Sequence, residues 1–410
     1  MANTYTTYKD SGIPWIGEIP KEWNYQRLRF LCEINTGNQD TQNKEENGKY
    51  PFYVRSPHIE RCNNYTFKGE SILMAGDGAG AGRVFHHAFG KYAVHQRVYM
   101  LYNIHNINTS FLFYYISNLF ADVMDAGSAQ STVPSVRLPM LSNFCVCIPT
   151  TKEQEYIVNF LDEKCSEIDD LISLQEKMID ELKEYKQSVI TEVVTKGLDR
   201  NVKMKDSGID WIGEIPEHWV TRQFKWLFSI KKDIAGELGY DVLSVTQKGI
   251  KIKDLSKNEG QIAQDYSKYQ LVNPNDFVMN HMDLLTGYVD CSKYNGVTSP
   301  DYRVFHAINE SSTSLAYYLR IFQTCYSCKI FYGLGQGVSG FGRWRLPAEQ
   351  QKLFYLPYPP YAEQQEIATF LDTKCSEIDS LISIKEKKIE ELKDYKKSLI
   401  YEYVTGKKRV

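Results

Sequence analysis

An internal repeat constrains this chain more than any other feature. The segment KDSGIPWIGEIPKEW at 9–23 returns as KDSGIDWIGEIPEHW at 205–219, with twelve of fifteen residues identical at an offset of 196. The segment FLDEKCSEIDDLIS at 160–173 returns as FLDTKCSEIDSLIS at 370–383, with twelve of fourteen identical at an offset of 210. Such self-similarity indicates two tandem copies of one architecture. Because the offset grows between the two segments, the second copy is longer in the region that separates them.

Length and composition narrow the class of protein. A chain of 410 residues predicts two or three domains. With 42% apolar and 24% charged residues, long disorder, collagen-like repeats and a disulfide-dense mini-protein are excluded. The apolar run at 111–120 is too short to span a bilayer, and the N-terminus MANTYTTYKD lacks a signal pattern. The nine cysteines are irregularly spaced, as expected of reduced thiols. We therefore expect a cytoplasmic protein without membrane association.

Two long amphipathic helices are predicted where the chain lacks Pro and Gly, at about 152–196 and 361–405. About 40 residues at 1.5 Å per residue give a rod of roughly 60 Å. A helix this long with one apolar stripe must pack that stripe on a partner, and the other long helix is the obvious one. The first helix leads away from the first diverged region, so the second must run back beside it, which makes the pair antiparallel. Gln175 and Lys385 occupy equivalent stripe positions, either as a polar layer that sets the register or as a solvated edge. The predicted stripes are Ile168, Leu171, Ile172, Met178, Ile179, Leu182, Tyr185 and Val189, and Ile378, Leu381, Ile382, Ile389, Leu392, Tyr395 and Leu399.

The regions between the repeated segments, about 24–150 and 220–360, have diverged. They contain most of the Gly and Pro and many short β-branched and aromatic runs, which predicts mixed α/β domains. Residues 69–84 and 275–289 both suggest a strand, a Gly-containing loop and a second strand. At an offset of 206, Arg97 is matched to Arg303, and the motif Gly127-x-x-Gln130 to Gly333-x-x-Gln336.

Charge is distributed unevenly along the chain. Region 24–150 has 11 Lys and Arg against 9 Asp and Glu, and region 220–360 has 16 against 12. Segment 151–200 has 7 against 13, whereas 361–410 has 10 of each. The diverged regions are mildly basic, so they suit an anionic ligand such as DNA better than the first rod does.

The repeated segments also carry a family resemblance. SGIPWIGEIPKEW, its copy SGIDWIGEIPEHW and the linker VVTKGLDRNVKMKDSGIDWIGEIP resemble the specificity subunit of type I restriction-modification systems. The resemblance covers essentially the whole chain. It includes the Glu-Gln pairs at 153–154 and 363–364 and the proline-ended runs FCVCIPT and FYLPYPP that precede them.

The resemblance implies an α+β protein with two target recognition domains separated by two antiparallel helices. We expect a first recognition domain at 1–150, a long helix at 151–200, a second recognition domain at 201–360 and a last helix at 361–410. Each domain would read one half of a bipartite, asymmetric double-stranded DNA site. The helices would fix the gap between the half-sites, with the joint at Thr195–Gly197 especially sensitive.

The same resemblance implies partners that carry the chemistry. Two DNA methyltransferase subunits and the motor-nuclease restriction subunits would bind this chain. S-adenosylmethionine, ATP and Mg²⁺ are then expected in those partners, and no cofactor in this chain.

Catalytic motifs are not convincing in the sequence itself. Tyr358-Pro359-Pro360-Tyr361 lacks the amide or carboxylate that would hold a target amine, and suits a strand-to-helix connection better. GDGAGAG at 76–82 precedes a strand-like run, whereas nucleotide-binding glycine loops open a helix. There is no Walker lysine motif, and Cys325-x-x-Cys328 lacks a second ligand pair. We expect a non-catalytic recognition subunit. The rivals are a helical scaffold whose domains bind proteins and a self-contained DNA-modifying enzyme.

Candidate DNA contacts combine suitable side chains with loop settings. Gln130 and Gln336 could pair with adenine, and Arg97 and Arg303 could hold guanine or phosphate. The alternative for each is a hydrogen bond within its own domain. Further candidates for phosphate contacts are Arg83, Arg137, Lys248, Lys251, Arg343 and Arg345.

Overall fold

The computed structural model describes residues 4–127, 134–254, 265–337 and 344–410. The chain divides into two compact units: the first unit is Met1–Glu176 with Glu386–Val410, and the second is Lys177–Lys385. Each unit contains one diverged region and a part of each long helix. The expected domain limits at 150, 200 and 360 stay predictions.

The first unit combines strands with two helices and the first long helix. The strands are β1 (Tyr8–Asp10), β2 (Glu18–Pro20), β3 (Asn24–Arg27), β4 (Glu33–Thr36), β5 (Tyr50–Tyr53), β6 (Glu60–Cys62), β7 (Phe67–Ala75), β8 (Phe85–Val94), β9 (Val98–Tyr102) and β10 (Cys145–Ile148). The helices are α1 (Thr109–Gly127), α2 (Leu138–Ser142) and α3 (Thr151–Lys196), with 3-10 turns at Leu28–Phe30 and Thr41–Asn43.

A six-stranded sheet in the order β4-β9-β7-β8-β5-β6 forms the centre of the first unit. Within it only β5 and β8 run parallel, and the other neighbours are antiparallel. Alternating side chains of β7 point to opposite faces, so Ile72 packs under α1 with Phe111 and Leu112. Strands β1 and β2 pair as a hairpin, and β3 pairs with β10 as a separate ribbon.

The second unit repeats this plan with shorter strands. They are β11 (Met204–Asp206), β12 (Glu214–Pro216), β13 (Val220–Gln223), β14 (Phe228–Lys231), β15 (Leu243–Thr246), β16 (Gly249–Ile252), β17 (Gln270–Val272), β18 (Phe277–Met279), β19 (Val289–Cys291), β20 (Gly296–Thr298), β21 (Arg303–Ala307) and β22 (Tyr355–Tyr358). The helices are α4 (Phe224–Leu227), α5 (Leu315–Ser327), α6 (Ile330–Gly333), α7 (Ala348–Leu353) and α8 (Tyr361–Val404).

The central sheet of the second unit has the order β14-β21-β18-β19, and the hairpin β15–β16 and the pair β17–β20 lie outside it. A cluster of aromatic rings packs beneath this sheet, where Phe277 stacks on Phe305 with ring centroids 5.1 Å apart. The hairpin β11–β12 and the ribbon β13–β22 correspond to β1–β2 and β3–β10. The expected fold class, mixed α+β domains in tandem halves with two long helices, is confirmed.

The two long helices match their predicted positions closely. The start of α3 is a capping box, because the Glu153 backbone N–H donates to the Thr150 hydroxyl at 3.4 Å and the Glu153 carboxylate accepts from the Thr150 N–H at 3.2 Å. The helix ends where Gly197 adopts a left-handed conformation with φ +76°.

Within each unit, α3 and α8 pack antiparallel. In the first unit, Asp169 pairs with Lys396 at 2.6 Å, and Phe160 lies against Tyr403 with ring centroids 4.5 Å apart. In the second unit, Lys186 pairs with Asp379 at 2.6 Å. Residues earlier in α3 contact residues later in α8, as antiparallel packing requires.

The apolar seam is narrower than the predicted stripe. Ile168, Ile179, Ile378 and Ile389 are buried as expected. Several other stripe residues are exposed instead, because a pair of helices covers only the side chains that face the partner directly. The exposed ones, with their exposed fractions, are Leu171 (46%), Tyr185 (52%), Leu381 (48%) and Tyr395 (58%).

Candidate nucleic-acid interface

In the first unit, two segments meet at one end of the central sheet. The chain leaves β7 into a glycine-rich loop, residues 76–84, and the segment 134–137 lies beside it. Val136 donates its backbone N–H to the Gly76 carbonyl at 2.8 Å, and the Gly78 N–H donates to the Pro134 carbonyl at 3.0 Å. We call residues 76–84 with 134–137 the first loop edge.

The second unit builds the same frame from different residues. The chain leaves β18 into the loop 280–288, which lies beside the segment 344–347. Leu346 donates its backbone N–H to the His281 carbonyl at 2.9 Å, and the Leu284 N–H donates to the Trp344 carbonyl at 3.2 Å. Residues 280–288 with 344–347 form the second loop edge.

A side chain from the central sheet, partly buried in the first unit and buried in the second, fastens each loop edge. In the first unit, the Tyr99 hydroxyl donates to the Val136 carbonyl at 3.1 Å. In the second, the Arg303 Nη2 donates to the Leu346 carbonyl, also at 3.1 Å. Tyr99 and Arg303 therefore do the same structural task in the two units.

This correspondence corrects the sequence-based match of Arg97 with Arg303. In the sheet registers Met74 lies opposite Tyr99, and Met279 lies opposite Arg303. Tyr99 is thus the counterpart of Arg303, and Arg97 precedes β9. An offset of 206 fails here because loops of unequal length separate the paired strands.

Arg303 is almost completely buried, with 8% of its surface exposed. Its Nη1 donates to the Gln351 side-chain oxygen at 2.5 Å, in addition to the bond to Leu346. Burial lowers the pKa of the Arg303 guanidinium to about 10, since removal from water disfavours the charged form. These contacts favour the intradomain alternative for Arg303, so we leave it out of the proposed DNA surface.

Arg97 lies at the rim of the first loop edge with 63% of its side chain exposed. Its guanidinium pairs with Asp77 at 3.0 Å, and Arg55 pairs with the other Asp77 oxygen at 2.9 Å. Two cations share one carboxylate, so this point keeps a net positive charge. Beneath it, His95 is buried, and its Nδ1 accepts the Arg97 backbone N–H at 3.0 Å.

The other predicted DNA contacts of the first unit are Arg83, Arg137 and Gln130. The Arg83 Nη2 donates to both carboxylate oxygens of Asp125, at 2.8 and 2.7 Å, and 54% of the Arg83 side chain is exposed. Arg137 is exposed at the residue before α2. Gln130 lies outside the described residues.

In the second unit, Gln336 and Arg345 come together. Each accepts the other's backbone N–H, at 2.8 and 3.0 Å, and both residues are exposed. This backbone pair joins the turn after α6 to the second loop edge. Arg343 lies outside the described residues.

His281 lies at the second loop edge, and its surroundings lower its pKa. Its Nδ1 is buried without a hydrogen-bond partner among the described residues. Burial lowers the pKa of His281 to about 4, with smaller effects from the Arg303 and Arg345 charges. The imidazole is therefore neutral at physiological pH.

The two lysine candidates lie on the hairpin β15–β16. Lys248 is in its turn and Lys251 in β16, and both are exposed. Asp290 holds this hairpin, because its carboxylate accepts the Ile250 N–H at 2.7 Å. A cleft of about 420 Å³ lies between β15 and the loop 280–288, with Lys253 and Asn280 in its wall.

Several other sequence interpretations can be compared with the structure. The loop 76–84 leads into strand β8, as expected of a recognition loop and not of a nucleotide cradle. The prolines at 359–360 connect β22 to α8, as predicted. Within the described ranges, no group of three or more His, Cys, Asp or Glu side chains could hold a metal ion. No described helix is both long enough and apolar enough to cross a bilayer.

Sequence reasoning missed Arg55 and Tyr99. Arg55 is 22 residues from Asp77, and only the fold brings the two together. Tyr99 sits in an ordinary strand pattern, so no local signal identifies its role.

Comparison with known proteins identifies relatives along most of the chain. The family model for the "Type I restriction modification DNA specificity domain" matches residues 20–184 and 216–394. The EcoDI specificity subunit of Escherichia coli is 23% identical over 239 residues, 55% of this chain and 53% of that protein. This chain therefore spans about half the length of that relative.

One further relative and one solved structure match over nearly their full length. The MjaVIII specificity subunit of Methanocaldococcus jannaschii is 25% identical over 96% of this chain and 94% of that protein. A chain from a structural study of "complex assembly and conformational transition of the type I R-M system" has a TM-score of 0.67 at 12% identity. That match covers 94% of this chain and 98% of the other, and it shows a shared fold.

Proposed function

This chain belongs to the family of type I restriction-modification DNA specificity proteins, and we propose that it recognises a bipartite, asymmetric double-stranded DNA sequence, one half with each unit. As a member of a family of specificity subunits, it is a recognition protein and not an enzyme.

One observation supports this division more than any other: the loop edges share a backbone frame but not their side chains. Equivalent carbonyls, of Gly76 and His281, accept equivalent N–H groups in the two units. The residues presented on or beside that frame differ, with Arg83 and Arg97 in one unit and Gln336 and Arg345 in the other. Because base contacts determine specificity, two frames with different side chains should read different sequences.

The ion pairs of the first loop edge suit exchange with phosphate. Arg97 and Arg83 are more than half exposed, and such surface pairs contribute about 0–1 kcal/mol. A DNA phosphate can therefore replace Asp77 or Asp125 as the partner at little cost. The released counterions then favour binding, and make it depend on salt.

The long helices supply exposed apolar positions for protein partners. Leu171 and Leu381 occupy equivalent positions and are 46% and 48% exposed, and the equivalent pair Leu174 and Ile384 is 50% and 63% exposed. We assign these positions to the docking of two DNA methyltransferase subunits, which the restriction subunits join for cleavage. S-adenosylmethionine, ATP and Mg²⁺ then belong to the partners, and the assembly works in the cytoplasm. That the helices set the gap between half-sites stays a prediction.

Two measurements test the proposal. The purified chain with its cognate methyltransferase should bind DNA with an affinity that falls steeply with salt, and should methylate a non-palindromic, two-part motif. A flat salt dependence would favour the protein-binding scaffold instead. A palindromic motif would contradict the assignment of different half-sites to the two units. Methyl transfer by the isolated chain would show that it is itself an enzyme.

A further inference from the structure

An exposed aromatic ring occupies the same position in both units. Phe30 ends the 3-10 turn Leu28–Phe30, and Trp226 lies in α4, at the offset of 196 that relates the first repeated segments. Phe30 is 56% exposed and Trp226 is 65% exposed. One exposed ring on a protein surface is ordinary. Its recurrence at matching positions of two diverged regions indicates a shared task.

The turn that carries each ring is fastened in the same way. In the first unit, the Leu28 N–H donates to the Phe144 carbonyl at 2.9 Å, and the Leu31 carbonyl accepts from His105 at 2.9 Å. Leu28 and Leu31 are buried, so the turn is anchored on both sides of Phe30.

In the second unit, Phe224 donates its N–H to the Phe354 carbonyl at 2.7 Å, and the Leu227 carbonyl accepts from Ile308 at 2.9 Å. Phe224 and Leu227 are buried as well. Trp226 is therefore held outward on a rigid support, as Phe30 is.

A cation accompanies each ring. The Arg29 guanidinium lies 4.9 Å from the centre of the Phe30 ring, and the Lys225 ammonium lies 5.5 Å from the centre of the Trp226 ring. Arg29 also donates to the Asn143 side-chain oxygen at 3.0 Å, which fixes its direction. Each unit thus presents an aromatic ring with an adjoining positive charge, and Trp and Arg are among the residues enriched in binding hot spots between proteins.

The sheet register separates these rings from the loop edges. Strand β4 begins three residues after Phe30, and its first residue, Glu33, lies opposite Tyr102 at the far end of β9. Arg97 precedes the other end of β9. In the second unit, Phe228 lies opposite Ala307, and Arg303 is at the other end of β21. In both units the rings therefore lie near the opposite end of the sheet from the loop edge.

We propose that Phe30 with Arg29, and Trp226 with Lys225, form one docking point in each unit for a DNA methyltransferase subunit. The inference rests on the proposed function, and deepens it by naming contacts outside the long helices. A partner bound once per unit fits a site that is present once per unit. The ring would enter an apolar hollow of the methyltransferase, and the cation would meet an acidic side chain at its rim.

The test uses the full chain with its cognate methyltransferase subunit. Native mass spectrometry and binding titrations are made for wild type, Phe30→Ala, Trp226→Ala and the double variant. Each single variant should weaken one of two methyltransferase sites by about thirtyfold, the scale of an interface hot spot, and the double variant should weaken both. Lys225→Glu should weaken the second site too.

Phe89→Ala is the matched control, because Phe89 is 61% exposed but lies on β8. It should leave both sites unchanged. DNA binding by the chain alone should be equal in all variants, and equal thermal unfolding should show that they fold.

The outcomes separate the two proposals. Two methyltransferase subunits bound equally well by wild type and double variant would overturn the inference alone. Weaker DNA binding with unchanged methyltransferase binding would also overturn it, since the rings would then belong to the DNA surface. A wild-type chain that binds no methyltransferase would overturn the partner assignment in the proposed function, and the inference with it.

Discussion

Gly406 packs directly on Trp23, so that a β-carbon at residue 406 would lie 3.2 Å from the indole ring and 2.4 Å from Pro20. The same relationship joins Gly197 to Trp219, where a β-carbon would lie 3.1 Å from the ring. Each long helix thus ends on a repeated segment: α3 on the second copy and α8 on the first. Both glycines have positive φ, of +73° at Gly406 and +76° at Gly197.

Gly406→Ala should destabilise the first unit by about 2–5 kcal/mol. The left-handed backbone costs an alanine about 1–2 kcal/mol, and the contact with Pro20 adds an overpacking cost of about 1–3 kcal/mol. Gly12→Ala is the matched control, because Gly12 has φ +67° but no atom within 4 Å of an added β-carbon. Urea unfolding should show the smaller loss for Gly12→Ala; equal losses would mean that the contact contributes nothing.

Arg303→Lys should disturb the second loop edge without removing the charge. Arg303 bonds Gln351 and Leu346 through two separate nitrogens, whereas lysine has a single terminal nitrogen that does not match both positions. We therefore expect a loss of about 2–3 kcal/mol in the stability of the second unit. Methylation mapping should show weakened reading of one half-site only. Tyr99→Phe removes a single neutral bond at the equivalent place and should cost about 1 kcal/mol, with its effect on the other half-site. If the Arg303→Lys variant still reads both half-sites fully, Arg303 does not position the second loop edge.

Removing one carboxylate should strengthen DNA binding by the first unit. In Asp77→Asn, Arg55 and Arg97 lose their shared acidic partner and become available to phosphate. We expect tighter binding at low salt, whereas Arg97→Gln should weaken binding and reduce the salt slope by about 1. Lys183→Gln on α3, where Lys183 pairs weakly with Asp180 at 3.5 Å, is the control and should change neither quantity. An unchanged salt slope in Arg97→Gln would remove Arg97 from the interface.

Stability should fall as the pH is lowered from about 6.5 to about 4 because of His281. Its pKa is about 4 when folded and about 6.5 when unfolded, so in this window the unfolded chain binds a proton that the folded chain does not. Above pH 6.5 His281 is neutral in both the folded and the unfolded chain, so this loss of stability disappears. After discounting for partial exposure, we expect a loss of about 1–2 kcal/mol. His281→Gln should remove this component; an identical pH profile for the variant would contradict the assignment.

The large-scale architecture could be predicted because its signals are local or repeated. The helix limits follow from the absence of Pro and Gly together with the three-and-four spacing, and the tandem halves follow from near-identical segments. The antiparallel packing of the helices followed from chain connectivity alone. The exposure of Leu171 and Tyr185 could not be predicted, because periodicity defines an apolar face but not how much of it one partner covers.

The candidate site was only partly predictable, for reasons of topology. Matching Arg97 to Arg303 by a constant offset failed, because loop lengths differ between the halves and only strand pairing reveals the true counterpart, Tyr99. The burial of Arg303 depends on Gln351 and Leu346, more than 40 residues away in the sequence. Arg55 pairs with Asp77 only because the fold brings these distant residues together, and no sequence motif predicts that contact.

If each unit reads one half of a two-part DNA site, exchanging the diverged region of one unit should change one half-site and leave the other intact. Residues 24–150 are replaced by the matching region of a related specificity subunit, the chimera is expressed with the cognate methyltransferase, and methylated motifs are mapped across the genome. We expect a new sequence in one half of the motif, with the other half unchanged. An active chimera in which both halves change, or neither does, would contradict it.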